Sequence, residues 1–261
     1  MNREDVHAAA AILWRHWQQS TRFDELPAHC RPGTRAEGYA IQAEIAELSG
    51  QNVVGWKIAA TSAAGQRHIR VDGPMAGCLL SARALEGGAR MSLAGNNMKV
   101  AEAEFAFRMG SPLPKRAEPY SVAEVLAAVA SLHPAIEVPD SRYNDFTRVG
   151  EAQLIADVAC ACWFMIGPAT RADWRALDLA RHGVAAYRNG ALAGQGSGAN
   201  VLGDPRSALA WIANELCTYG DGLRSGDVVI TGTCVTPVPI SAGDSVKMDF
   251  GAFGVLDMGF D

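Results

Sequence analysis

Apolar residues recur at helical spacing near the start of the chain, at Val6, Ala10, Leu13, Trp14 and Trp17. That period predicts an amphipathic helix over 3–19. An irregular stretch with Pro27, Pro32 and Gly33 follows. Thr34-Arg-Ala-Glu37 reads as a capping box opening a second helix, with Tyr39, Ile41, Ile45 and Leu48 on its apolar side and Gly50 as its stop. The pattern then changes. Val53-Val-Gly-Trp-Lys-Ile-Ala59 is a buried strand pattern carrying one charge, Lys57. Thr61 or Ser62 caps a short helix reaching Arg70, and a short strand follows near Gly77–Leu80. Lys99-Val-Ala-Glu-Ala-Glu-Phe-Ala-Phe-Arg108 reads as another strand. Ser121-Val-Ala-Glu124 is a second capping box, and its helix ends before a short strand carrying Glu137. Residues 139–151 are polar and loop-like, suited to a lid. The apolar run Ile155–Ile166 fits helix, strand or each in turn. A hairpin is expected at Asn189-Gly190, and a helix from Asp204-Pro205 to Gly220 with Leu209, Ile212 and Leu216 inward. Short strands fill 227–231, 245–250 and 253–259. Helices lead and strands close the chain, which favours α+β over a doubly wound sheet.

Composition narrows the function classes. The chain has 261 residues, 49% hydrophobic and 20% charged, so it can build a full-sized core. A net charge of -5 without a basic stripe argues against nucleic acid and anionic membranes as partners. No apolar run approaches the roughly 20 residues of a membrane span. The charged start, Met1-Asn-Arg-Glu-Asp-Val, lacks a secretory apolar core, so a cytoplasmic location is expected. The cysteines, Cys30, Cys78, Cys160, Cys162, Cys217 and Cys234, show no usual zinc spacing and read as reduced, buried thiols.

Candidate chemistry centres on carboxylates. On a strand, residues two apart point the same way, so Glu102 and Glu104 share a face while Ala101, Ala103 and Phe105 take the other. Two neighbouring anions in an apolar segment need a cation or protons, and a hard divalent ion such as Mg²⁺ or Mn²⁺ suits them. The plain alternative is a half-exposed strand with its polar residues outward. Glu137, in Ala-Ile-Glu-Val, strengthens the metal reading, because an unpaired carboxylate there would be costly. Its alternative is a partner for an arginine or for Lys57. Lys57 is either a structural ion-pair member or a lysine facing an anionic substrate. No histidine stands out: His7, His16 and His182 fall in surface segments, His29 lies in a loop, and His68 and His133 read as structural. Gly194-x-Gly-x-Gly198 lacks the strand-to-helix setting of a dinucleotide loop, and no serine sits in a nucleophile elbow.

With these residues in view, the chain resembles the hydratase/decarboxylase branch of the fumarylacetoacetate hydrolase superfamily, which includes 2-keto-4-pentenoate hydratase, 2-oxo-hept-3-ene-dioate hydratase and 4-oxalocrotonate decarboxylase. The matching stretches include Tyr39-Ala-Ile-Gln42, Gly55-Trp-Lys-Ile58 and Ala101-Glu-Ala-Glu-Phe-Ala-Phe107. Pro134-Ala-Ile-Glu137, Asp140-Ser-Arg142, Asp157, Gly198–Gly203 and Ser225–Gly232 continue the order to the closing Asp249-Phe-Gly251. Single pieces are weak; their order over nearly the whole chain is specific. The resemblance implies an α+β fold with a rolled mixed β-sheet core, an N-terminal helical region over 1–50 and a catalytic domain over 51–261. It implies Glu102, Glu104 and Glu137 as ligands of Mg²⁺ or Mn²⁺, Lys57 as a catalytic and substrate-binding residue, and Asp157 on the substrate side. It implies a small 2-oxo acid substrate, a homo-oligomer, and association with a related pathway enzyme.

The activity it implies is a metal-dependent hydro-lyase adding water to a 2-hydroxy-dienoate or 2-oxo-alkenoate in the catabolism of aromatic or related compounds. Decarboxylation, C–C hydrolysis or tautomerisation of a 2-oxo acid, and a non-catalytic partner subunit, are the alternatives. The branch's usual polar positions are altered here. Met75 stands where an acid is common, Val158, Cys160 and Ala161 replace a polar run, and Val235 replaces a threonine. A less polar pocket is expected, with the carboxylates and Lys57 retained.

Overall fold

The computed structural model describes all 261 residues. Two helices lead, α1 (Arg3–Gln19) and α2 (Arg35–Ser49). The capping box of α2 forms as its sequence predicts: Thr34 accepts from the Glu37 N–H and Glu37 reaches back to the Thr34 N–H. Strand β1 (Val53–Ala59), helix α3 (Ala63–Ile69, capped by Ser62) and strand β2 (Met75–Leu80) follow. Short strands β3 (Ala84–Leu85) and β4 (Arg90–Met91) precede β5 (Val100–Met109). Then come β6 (Leu113–Pro114), α4 (Val122–Ala127) and β7 (Val129–Val138). Because α4 spans only 6 residues, β7 has room for 10, and the strand bearing Glu137 is long rather than short.

The apolar run after residue 150 divides into α5 (Glu151–Ala156) and β8 (Trp163–Ile166), joined by a tight turn. β9 (Gly183–Arg188) and β10 (Ala191–Ser197) form the hairpin at Asn189-Gly190. Helix α6 (Pro205–Tyr219) starts at the Asp204 cap with proline in its first turn. β11 (Gly222–Leu223), β12 (Val228–Thr233), β13 (Val238–Pro239), β14 (Ser245–Asp249) and β15 (Val255–Phe260) complete the chain.

Eight strands form one mixed sheet, in the order β2-β1-β12-β5-β7-β8-β3 with β13 pairing β5. A second sheet runs β10-β9-β14-β15-β4. The long central strands β5 and β7 sort their side chains by the period of two. One face carries Phe105, Phe107, Leu132 and Ile136, which join a core with Leu209, Ile212 and Leu216 of α6 and Met248 and Phe250 of the second sheet. Phe105 meets Phe250 and Phe253 edge-on at 5.5 and 5.6 Å. The opposite face carries small residues, Ala106 and Ala135, and packs beneath Leu13, Ile41 and Ile45 of α1 and α2. Further along that face stand Glu102, Glu104 and Glu137. Both sides of the central sheet are therefore covered, and carboxylates at its open end are placed by the alternation that buries the aromatics behind them.

All six cysteines are buried and unpaired. No helix is long and apolar enough to cross a membrane. The 139–151 segment is only partly a surface loop. Asp140, Ser141, Arg142 and Tyr143 are all buried, so its first half is core rather than lid.

Candidate active site

In the antiparallel ladder of β5 and β7, Glu102 pairs with Glu137, and Glu104 pairs with Ala135. One oxygen from each of Glu102, Glu104 and Glu137 falls within 4.8 Å of the others. Two oxygens across a shared cation lie ~4.2 Å apart for Mg²⁺ and about 5 Å for Ca²⁺, given their bond lengths. The cluster is thus sized for one divalent ion. Its hydrogen bonding points the same way. Both oxygens of Glu137 are buried, and apart from the Lys57 ammonium beside Oε1 neither has a hydrogen-bond donor. Glu104, 1% exposed, accepts from the Gly232 N–H, while Glu102 is half-buried and borders the cavity.

Electrostatics describe an anionic site short of positive charge. Burial, and then the neighbouring Glu137 and Glu102, hold the Glu104 carboxyl well above the ordinary range. Burial likewise lifts Glu137 to about 7, against the opposing pull of Lys57. Burial also raises Glu102. Lys57 is 3% exposed, and its Nζ lies 3.1 Å from Glu137 Oε1. Burial alone would lower its pKa, but Glu137, Glu102 and Glu104 outweigh burial and raise it. A single ammonium faces three carboxylates, so the arrangement calls for further positive charge.

Lys57 is positioned by backbone as well as by charge. It donates to the Ala159 carbonyl at 3.1 Å. That carbonyl belongs to a turn in which Val158, Ala159 and Cys160 all take left-handed conformations, at φ 54°, 50° and 62°. Non-glycine residues pay for this geometry, on the order of 1–2 kcal/mol each. Asp157 anchors the turn. It accepts from the Ser141 hydroxyl at 2.7 Å and from the Arg142 N–H at 3.0 Å, and it is ion-paired with the buried Arg142 guanidinium. Gly77 of β2 sits against the same turn: a Cβ there would meet the Val158 carbonyl at 2.0 Å, so only glycine lets the strand pass.

The acidic cluster opens into a cavity of about 650 Å³. Lys57, Glu102 and Glu104 line it, and Glu137 lies behind them. Met75, Cys160 and Val235, three of the replaced polar positions, form part of its wall. Asp157 does not line it. The sequence placed this residue with the substrate, but its carboxylate is taken up by Ser141 and Arg142, and it positions the Lys57 turn instead. The structure brings in Phe146, which the sequence did not single out, together with His68, read from the sequence as structural, and Thr61, read as a helix cap. Thr61 is buried just before the Ser62 cap, while His68 follows Ala64 and Gly65 on the cavity side of α3 at i+4 and i+3, a spacing that was the available signal for it. Ser62 lines the cavity too, but its hydroxyl is occupied in capping α3. His133 is held by Ser131 and the Gly167 carbonyl, and His29 is exposed and off the cavity. His182, expected at the surface, is half-buried against Phe253 at 4.2 Å.

Comparison with known proteins adds independent findings. The fumarylacetoacetate (FAA) hydrolase C-terminal family matches residues 68–260. The 2-hydroxyhexa-2,4-dienoate hydratase of Comamonas testosteroni is 35% identical over 218 residues, covering 83% of this chain and 81% of that protein. The 2-keto-4-pentenoate hydratase of Burkholderia vietnamiensis is 32% identical over 260 residues, 97% of each chain. Among solved structures, the 4-oxalocrotonate decarboxylase of Pseudomonas putida G7, complexed with magnesium and adipate, superposes with a TM-score of 0.90 at 28% identity. That match covers 100% of this chain and 99% of the other. The same enzyme complexed with calcium and acetate gives 0.88.

Proposed function

The chain belongs to the fumarylacetoacetate hydrolase family, and from that premise we propose that it is a divalent-metal-dependent hydro-lyase acting on a 2-hydroxy-dienoate or 2-oxo-alkenoate in aromatic catabolism. The observation that carries this reading is the Glu102–Glu104–Glu137 cluster with Lys57 at the floor of one cavity. The hydratases among its relatives support it.

Glu102, Glu104 and Glu137 would hold Mg²⁺ or Mn²⁺. Such an ion supplies a Lewis acid that stabilises negative charge developing on the 2-oxo oxygen of a substrate. The rest falls to the protein's own groups. Lys57, kept protonated by its carboxylate neighbours, attracts an anionic substrate and offers a proton at the cavity floor. The Thr61 hydroxyl lines the wall and has no side-chain hydrogen bond within the chain, which leaves it available to orient a water. His68 is a further polar group, exposed at the solvent side of the wall. Met75, Phe146 and Val235 exclude water around the substrate's hydrocarbon portion and suit an apolar tail.

The catalytic unit is residues 51–261, with 1–50 as its helical flank, and the working form is an assembly of several copies or a complex with a related pathway enzyme. Decarboxylation is the second reading. It is favoured by the replacement of acidic and hydroxyl groups at Met75 and Cys160, which removes water-orienting candidates from the wall. The test is Mg²⁺- or Mn²⁺-dependent loss of 2-hydroxy-dienoate absorbance, followed by product mass. Gain of one water supports the hydro-lyase. Loss of CO₂ from a dicarboxylic substrate, without hydration, selects the decarboxylase. No turnover of either substrate with metal present overturns both.

A further inference from the structure

Pro139 lines the large cavity, and the next residue, Asp140, lines a second one of about 180 Å³. Arg22, Arg83 and Arg142 stand on its wall with Trp17 and Trp163, and Asp140 is its single acidic residue. These groups differ in how far their hydrogen-bonding capacity is used. Arg142 is fully engaged by Asp157 and by backbone carbonyls. Arg22 donates to Asp140 and to the Gly95 carbonyl, yet its Nε–H is buried without an acceptor. The indole Nε1–H of Trp17 is also buried without an acceptor. The Arg83 guanidinium has no ion-pair partner and rests 4.6 Å over the Trp163 ring and 5.3 Å over the Trp17 ring. Burial lowers its pKa from the usual arginine value.

Arg142 and Arg22 are each paired with a carboxylate, which leaves the half-buried Arg83 as the guanidinium on this wall without a countercharge. We infer that this cavity is a binding site for a small oxyanion, a carboxylate or phosphate group, held by Arg83 beside Arg22. The volume agrees. A cavity of about 180 Å³ has room for such a group together with water. The wall also connects to the active site. Asp140 Oδ1 accepts from the Asn97 N–H at 2.8 Å and the Met98 N–H at 3.3 Å, and both residues line the large cavity. An anion that draws Arg22 from Asp140 therefore acts on a segment of the active-site wall.

The test titrates the full-length, Mg²⁺-loaded protein with sodium phosphate in one arm and sodium acetate in the other, at constant ionic strength. Binding is read by calorimetry and tryptophan fluorescence. Saturable binding is expected, weakened about tenfold or more in Arg83→Gln. Arg83→Lys, which keeps the charge without the planar fork, is expected to fall between the two. The tighter arm identifies the group. Glu104→Gln controls for anions entering the large cavity and is expected to leave this binding intact. Absence of saturation in both arms at tens of millimolar, or binding kept in both Arg83 variants, overturns the site. Binding lost only in Glu104→Gln does the same.

Discussion

Glu102 and Glu137 stand directly opposite one another on β5 and β7, like charges in one cross-strand pair. Such a pair is destabilising in an ordinary sheet. Here Glu104 adds a third carboxylate and Lys57 a single compensating charge. The sheet thus spends stability at its open end, and a bound cation is the means of recovering it.

Glu104→Gln follows directly. Removing one anion from the cluster weakens metal binding and lowers metal-dependent turnover by more than ~100-fold, beyond the loss typical of groups merely supporting a ligand. The fold remains, since amide and carboxylate are nearly the same size and the raised Glu104 pKa already marks its charge as unfavourable. Calorimetry with Mg²⁺ and the melting temperature without it check both halves. Full turnover in this variant would refute the metal assignment.

Lys57→Met probes the opposite charge. It leaves the buried Glu137 without its cation, and breaking a buried pair costs ~3–5 kcal/mol. The metal-free variant should melt well below the parent. Mg²⁺ should then raise its melting temperature by more than it raises the parent's, because the added ion replaces the missing charge. Equal Mg²⁺ shifts in the two proteins would show that Lys57 and the carboxylates do not form one electrostatic unit.

The strand alternation around Glu102 and Glu104, the capping boxes of α2 and α4 and the Asn189-Gly190 hairpin were legible because each depends on neighbours within a few residues. The ordered family resemblance also gave Glu137 and Lys57 their place. Other features depend on contacts distant in sequence. Asp157 meets Arg142 inside a buried turn, and nothing local distinguishes that pairing from a pocket-facing acid. The 139–151 segment is polar in composition, yet ion pairs and hydrogen bonds carry Asp140 and Arg142 into the core. His68 becomes a wall residue only when the fold brings it edge-on to Phe146, far along the chain.

Asp157→Asn separates positioning from substrate contact. Arg142, 1% exposed, would lose its countercharge, at a cost of ~3–5 kcal/mol, and the left-handed turn at 158–160 would lose its anchor. Thermal stability and kcat should fall while KM for the 2-oxo acid changes little. A variant with unchanged melting temperature and a strongly raised KM would return Asp157 to the substrate.

Cys160 gives a prediction in pH. Burial pushes its thiol from the ordinary value near 9 to about 12, and Cys78 likewise to about 12. A raised thiol pKa means that the folded chain holds the proton more tightly than the unfolded chain. The resulting stability is complete below about pH 9 and is lost as pH rises through about 12. The native protein should therefore resist thiol reagents at pH 8, where a free thiol already reacts, and all six cysteines should react once it is unfolded. Melting temperature should decline above pH 9, less steeply in Cys160→Ala because one of the groups driving the decline is gone. Rapid labelling of Cys160 at neutral pH, located by peptide mass, would show instead that the cavity wall holds a reactive thiolate.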